Sequence, residues 1–159
     1  MTTARFVYVK VISIFFVLTL CWSIRLSAQF SFPLQEMKLT SSFGWGTHPV
    51  TGNADFHRGI DLSARFEPVY SIIPGRVSAQ GFHPLLGNFI RIEQDSVEIV
   101  YGHLSASVIA TGQQVSAGQL LGITGNTGRV TGPHLHLSIR FRGAFLHPLH
   151  FLRGLSGLR

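Results

Sequence analysis

The chain has 159 residues, 45% of them hydrophobic and 13% charged, and a formal net charge of +6. This composition excludes a disordered tail and suits one domain with its own core. The basic residues are scattered, and no basic stripe interleaved with aromatics is present, so the pattern argues against nucleic-acid binding.

In chain order, the first segment is set apart by its chemistry. Arg5 and Lys10 precede an almost wholly apolar run over 11–24, and Ser27 and Ala28 supply small residues before Gln29. That order predicts a secretory signal peptide over 1–28, and hence an exported protein of the periplasm, cell envelope or extracellular space. An uncleaved N-terminal membrane anchor is the alternative. The apolar run is short for it, because a spanning helix needs about 20 residues. The only cysteine, Cys21, follows Leu20, which is too large for a lipoprotein signal. Cleavage after Ala28 leaves no cysteine and no membrane span, so a metal site must be built from histidine and carboxylate. It also removes Arg5, Lys10 and Arg25, and the net charge falls to +3.

Residues 29–38 read as a short leader. From Leu39 onward strand-like runs alternate with turn signals: 68–73 closed by Pro74-Gly75, 76–79, a hairpin of 88–93 and 97–101 joined through Gln94-Asp95-Ser96, and 119–124 ended by Gly125-Asn126-Thr127-Gly128. The run 134–141 is closed by Arg142-Gly143. With 17 glycines and 7 prolines, and no long helical periodicity after the signal, the expected fold is all-β, a compact antiparallel domain over 39–152 with a peripheral tail at 153–159.

The histidines carry the chemistry. In a strand, His134 and His136 point one way and Leu135 and Leu137 the other, so both imidazoles face one cleft while the leucines anchor the core. His57 and Asp61 are also an even number of residues apart and read as one face of an extended segment, with Ile60 and Leu62 facing inward. Catalytic zinc takes three protein ligands and keeps one position for water. His57, Asp61 and one member of the His134/His136 pair supply that set. His103 ends a further strand-like run.

The segments H-R-G-I-D, Y-G-H-L-S, G-Q-Q-V-S-A-G-Q-L-L-G, G-N-T-G and T-G-P-H-L-H, in this order, together with the upstream S-S-F-G-W-G-T-H-P-V, resemble the lysostaphin and LytM type of zinc peptidases, peptidase family M23. The resemblance covers about 39–152. It implies the duplicated-hybrid-motif type of β fold, and a zinc metalloendopeptidase that hydrolyses peptide bonds in peptidoglycan. It implies one zinc ion on His57, Asp61 and His136, catalytic roles for His103 and His134, and a groove position for His48. It leaves room for a partner protein in the envelope. Zinc in such a site makes hydroxide available near neutral pH, and no glutamate lies between the ligands, so the histidine pair must handle the protons. Three positions depart from the family pattern: Gly46 stands where an arginine is common, Phe66-Glu67 where a Gly-small pair is common, and Ser138 where a glutamate is common.

Two competing readings predict different residues. A non-catalytic wall-binding or activator module of the same fold would have lost a metal or catalytic residue, and all five are present. The G-Q-Q-V-x-x-G-Q stretch also looks like the turn of a biotinyl or lipoyl carrier. A carrier needs an exposed lysine at a hairpin tip, and the only lysine after the signal is Lys38, outside any such hairpin.

Overall fold

The computed structural model describes residues 29–47 and 52–157. The expected signal segment and His48 lie outside them. Seven strands stand side by side in the order β1 (Leu39–Ser41), β4 (Ile60–Ser63), β11 (His134–Phe141), β8 (Val97–Ser107), β7 (Gly87–Gln94), β6 (Gly75–His83) and β9 (Gln114–Val115). β10 (Leu120–Thr124), which pairs with β8 and with β5 (Pro68–Tyr70), and β12 (Ala144–Leu146), which pairs with β11, complete a ten-stranded sheet. β2 (Gly44–Thr47) and β3 (Ala54–His57) form a separate two-stranded ribbon. The pairings are antiparallel, as the dense turn signals require. The fold is the all-β architecture expected from the sequence.

Alternation builds the core. Ile60 and Leu62 of β4, Leu135 and Leu137 of β11, and Ile90 and Ile92 of β7 all turn inward and are fully buried. Each such side chain contributes roughly 1.5–3 kcal/mol relative to exposure. The turns behave as their residues demand. β7 and β8 join through Asp95-Ser96, and Asp95 takes φ 53°. Between β11 and β12, Arg142 (φ 50°) and Gly143 (φ 83°) both occupy the left-handed region, the requirement of a type I′ hairpin turn.

Phe66 shows what the departure from the family's glycine means physically. Its φ is 54°, a conformation that glycine adopts freely and that costs a side-chain-bearing residue about 1–2 kcal/mol.

Both ends of the expected domain are tied in more closely than composition suggested. Residues 29–38 are not a free leader. Leu34 is 2% exposed in the main core, and Phe30 and Met37 pack against it. The backbone is stitched on by Ser31 N–H to Ile72 C=O, Tyr70 N–H to Pro33 C=O and Ser63 N–H to Lys38 C=O. At the other end, α1 (Pro148–Ser156) crosses the boundary expected at 152/153 and buries Leu152. It starts on a proline and stops at Gly157 in the left-handed conformation, a standard pairing of start and stop signals. Its nine residues are too few for helical periodicity to stand out.

Candidate metal centre and active site

Three elements place the candidate ligands. β4 and β11 are neighbours, and their register sets His136 opposite Asp61 and Leu137 opposite Ile60. The leucine and isoleucine enter the core, and the paired polar side chains emerge together on the other face. His57 arrives from elsewhere. It ends β3, in the ribbon, whereas Asp61 belongs to β4 in the large sheet. The expectation that His57 and Asp61 share one extended segment is therefore corrected: Arg58-Gly59 carries the chain from one sheet to the other. Gly59 is needed at this corner. A Cβ there would lie 2.5 Å from Leu137 O and 2.6 Å from His136 Cε1. Ser138, at the position where the family often has glutamate, donates to Arg58 C=O at 2.8 Å and ties β11 to the same corner.

The donor atoms converge. His57 Nε2 lies 3.3 Å from Asp61 Oδ1, His136 Nδ1 lies 2.9 Å from the same oxygen, and the two nitrogens are 3.2 Å apart. At zinc–ligand distances of about 2.0–2.2 Å, tetrahedral donors stand roughly 3.3–3.6 Å from each other. The triangle of His57, Asp61 and His136 thus has nearly the size of one face of such a site, and among the described residues it is the cluster able to hold a metal ion. Two nitrogens and one carboxylate oxygen are also the donor chemistry zinc favours.

Asp61 and His57 are tuned to each other. Burial alone would push the Asp61 carboxyl up, but hydrogen bonds from His136 and His57, with their charge, hold it below the ordinary carboxylate range. It is thereby kept ionised, the form a metal requires. Burial disfavours charge on His57, yet the Asp61 hydrogen bond and charge, with the Ser42 carbonyl, raise its pKa above the ordinary value.

His103 and His134 stand beside this triangle. Their rings are 4.6 Å apart between centroids, and His103 is 5.8 Å from His136. His134 Nε2 lies 3.6 Å from Asp61 Oδ1. Burial, assisted by neighbouring His134 and His136, outweighs the Thr127 carbonyl and lowers the His103 pKa to about 4. The ring is neutral at neutral pH.

One arrangement recurs around the histidines. The Nδ1 of His57 lies 3.0 Å from Ser42 O, that of His103 2.8 Å from Thr127 O, and that of His134 2.8 Å from Gly132 O. A carbonyl can only accept, so each of these Nδ1 atoms carries its proton and each Nε2 is left with its lone pair when the ring is neutral. His136 is the exception and offers Nδ1 to the cluster. These carbonyl partners were invisible in the sequence, because a main-chain oxygen has no residue identity. Thr127 was legible only as part of a turn, and Ser138 only as a departure. Beside His57, Phe43, Phe56 and Trp45 form an edge-to-face chain on the ribbon, and Trp45 is 78% exposed.

Comparison with known proteins is in accord with this geometry. Residues 55–148 match the model of peptidase family M23. Over 98 residues the chain is 43% identical to the peptidoglycan DD-endopeptidase ShyA of Vibrio cholerae, covering 60% of this chain and 23% of that protein. The chain spans about a quarter of the length of the curated relatives it matches. Among solved structures, a zinc-containing peptidase of Vibrio cholerae superposes with TM-score 0.67 at 35% identity, over 77% of this chain and 40% of that one. The catalytic domain of lysostaphin from Staphylococcus simulans superposes with TM-score 0.70 at 28% identity, over 78% of this chain and 98% of that one. With the match spanning more than half its length and the ligand triangle assembled, the chain belongs to peptidase family M23.

Proposed function

We propose that this chain is an exported zinc metalloendopeptidase that hydrolyses peptide bonds in peptidoglycan. The observation that carries the reading is the convergence of His57 Nε2, Asp61 Oδ1 and His136 Nδ1 on one point, with His103 and His134 alongside. The naming of a similar protein as a peptidoglycan DD-endopeptidase supports the substrate class.

His57, Asp61 and His136 hold the metal. Zinc bound there supplies a Lewis acid for the scissile carbonyl and lowers the pKa of a water toward neutrality. The remaining work falls to the protein. Ser42 C=O orients the His57 ring, and Asp61 stays ionised under its two histidine partners. His103 is neutral, its Nδ1–H is engaged by Thr127, and its Nε2 is free to take a proton from the attacking water. His134, fixed through Gly132 C=O, holds Nε2 3.6 Å from Asp61 Oδ1, beside the point where the tetrahedral intermediate forms. The peptide is read as lying in a groove that runs past these histidines. His48, outside the described residues, is assigned to the same groove. Export rests on the N-terminal segment. Among the described residues no helix is long and apolar enough to cross a membrane.

The test is digestion of defined cross-linked muropeptides by the zinc-loaded protein, with products identified by mass spectrometry. Cleavage of one peptide bond, abolished by chelation and by His136→Ala, is expected. Intact substrate after prolonged incubation, with zinc bound, would overturn the enzymatic reading in favour of a wall-binding module.

A further inference from the structure

His103 reaches the cleft through a fault in β8. Ile99 and Tyr101 point into the core, so strict alternation would send His103 there as well. Instead Leu104 returns to the core. The pairing with β7 shows how: Asn88 faces Leu104 while Ile90 faces Tyr101, so Phe89 alone opposes both Gly102 and His103. This is a β-bulge, and His103 occupies it with φ 62°. A bulge of this kind re-aims a side chain and leaves ladder groups that need other partners. A non-glycine residue in that conformation persists only where its surroundings hold it.

Thr127 supplies the hold. Its hydroxyl donates to Leu104 C=O at 2.8 Å and accepts from Asn88 N–H at 3.0 Å, taking up the polar groups of both strands at the fault. Its carbonyl accepts from His103 Nδ1–H at 2.8 Å. Asn88 Nδ2 adds a bond to Leu104 C=O at 3.1 Å, and His103 N–H is held by Leu86 C=O at 2.7 Å. The loop can approach this closely because Gly87 and Gly128 lack side chains: a Cβ on Gly87 would collide with Thr127, and one on Gly128 with Gly87.

We propose that Thr127 is a positioning residue for catalysis: its hydroxyl pins the bulge in β8 and its carbonyl fixes the tautomer of His103. The proposal rests on the reading of His103 as the proton acceptor. It acts through His103 and not through substrate or metal. Loss of the hydroxyl therefore lowers kcat and leaves KM and zinc content unchanged.

The experiment compares zinc-loaded parent, Thr127→Val, Thr127→Ser and His103→Ala on one muropeptide, with the imidazole ¹⁵N shifts of His103 recorded alongside. Thr127→Val keeps the shape and loses the hydroxyl; its kcat should fall by about ten- to a hundredfold, as for other groups that orient active-site histidines. Its His103 ¹⁵N shifts should move toward a mixture of tautomers. Thr127→Ser keeps the hydroxyl and should restore both. Parent-like kcat in Thr127→Val, or equal losses in the Val and Ser variants, would overturn the proposal. So would a parent spectrum showing His103 protonated at Nε2, a measurement that does not depend on any variant folding. Parent-like activity in His103→Ala would instead overturn the underlying role of His103, which separates the two failures.

Discussion

His136 stands directly across the β4–β11 ladder from Asp61, and its Nδ1 lies 2.9 Å from Asp61 Oδ1. Two of the three candidate ligands are thus set by the register of the large sheet. The third, His57, belongs to the β2–β3 ribbon. A bound metal ion therefore joins two sheets that no strand pairing joins. Chelation should raise amide hydrogen exchange in the ribbon while β4 and β11 stay protected. The parent should bind one zinc per chain by metal analysis, and His57→Ala and His136→Ala should not retain it. Full occupancy in either variant would remove that residue from the ligand set.

His103 and His134 should be separable from the metal site. His103→Ala and His134→Ala are expected to keep zinc and the fold but to lose turnover by about 10²–10⁴-fold, the usual contribution of a general acid or base. Digestion of purified sacculi at the parent rate by either variant would deny that histidine a catalytic role.

The lowered pKa of His103 has a consequence for stability. Its folded value of about 4 lies below the ordinary value of 6.5, so between the two the unfolded chain takes up the proton more readily. The contribution is full above pH 6.5 and is lost as pH falls toward 4, with a slope of at most about 1.4 kcal/mol per pH unit. His103→Asn, which tolerates positive φ, should show a shallower loss over that window. Urea denaturation of the metal-free proteins at several pH values checks this. Identical slopes would contradict a lowered value.

Removing residues 29–38 should destabilise the domain and not release a blocked groove. Leu34 is buried in the core, and truncation of such a residue typically costs about 2–5 kcal/mol. A protein spanning 39–159 is expected to melt lower than one spanning 29–159, and Leu34→Ala should reproduce much of the loss. Equal melting temperatures would show that the segment is dispensable. Higher activity in the shorter form would show that it inhibits.

Phe66→Gly should stabilise. The strain relieved at φ 54° is about 1–2 kcal/mol, set against roughly 0.5–1 kcal/mol for the added freedom of glycine in the unfolded chain. Phe66 is largely exposed, so little packing is lost. A gain of between nothing and about 1.5 kcal/mol is expected by chemical denaturation. A clear loss would mean that the ring makes contacts worth more than the strain.

Alternation in the sequence was enough to specify the antiparallel fold, the hairpin of β7 and β8, and the common face of His134 and His136, because each depends on the two-residue period of a strand or on the conformational needs of a turn. Residue types and spacing picked out His57, Asp61 and one of His134 and His136 as candidate ligands, and the family resemblance pointed to His136, which the structure brings together with the other two. Local pattern did not reach the relations between distant segments. The sequence places His57 and Asp61 on one extended segment, but the structure divides them between two sheets at Gly59, a corner imposed by the closeness of β11. Strict alternation would send His103 into the apolar core, but a bulge matched to β7 and held by Thr127 turns it toward His134 and His136, where it is still buried. Residues 29–38 read as a leader, but partners far along the chain, at Ser63, Tyr70 and Ile72, tie them into the core. Periodicity reports which face a side chain takes within one element. Bulges, corners and main-chain partners are settled only when separate elements meet, because their energy lies in contacts between residues that the sequence does not place side by side.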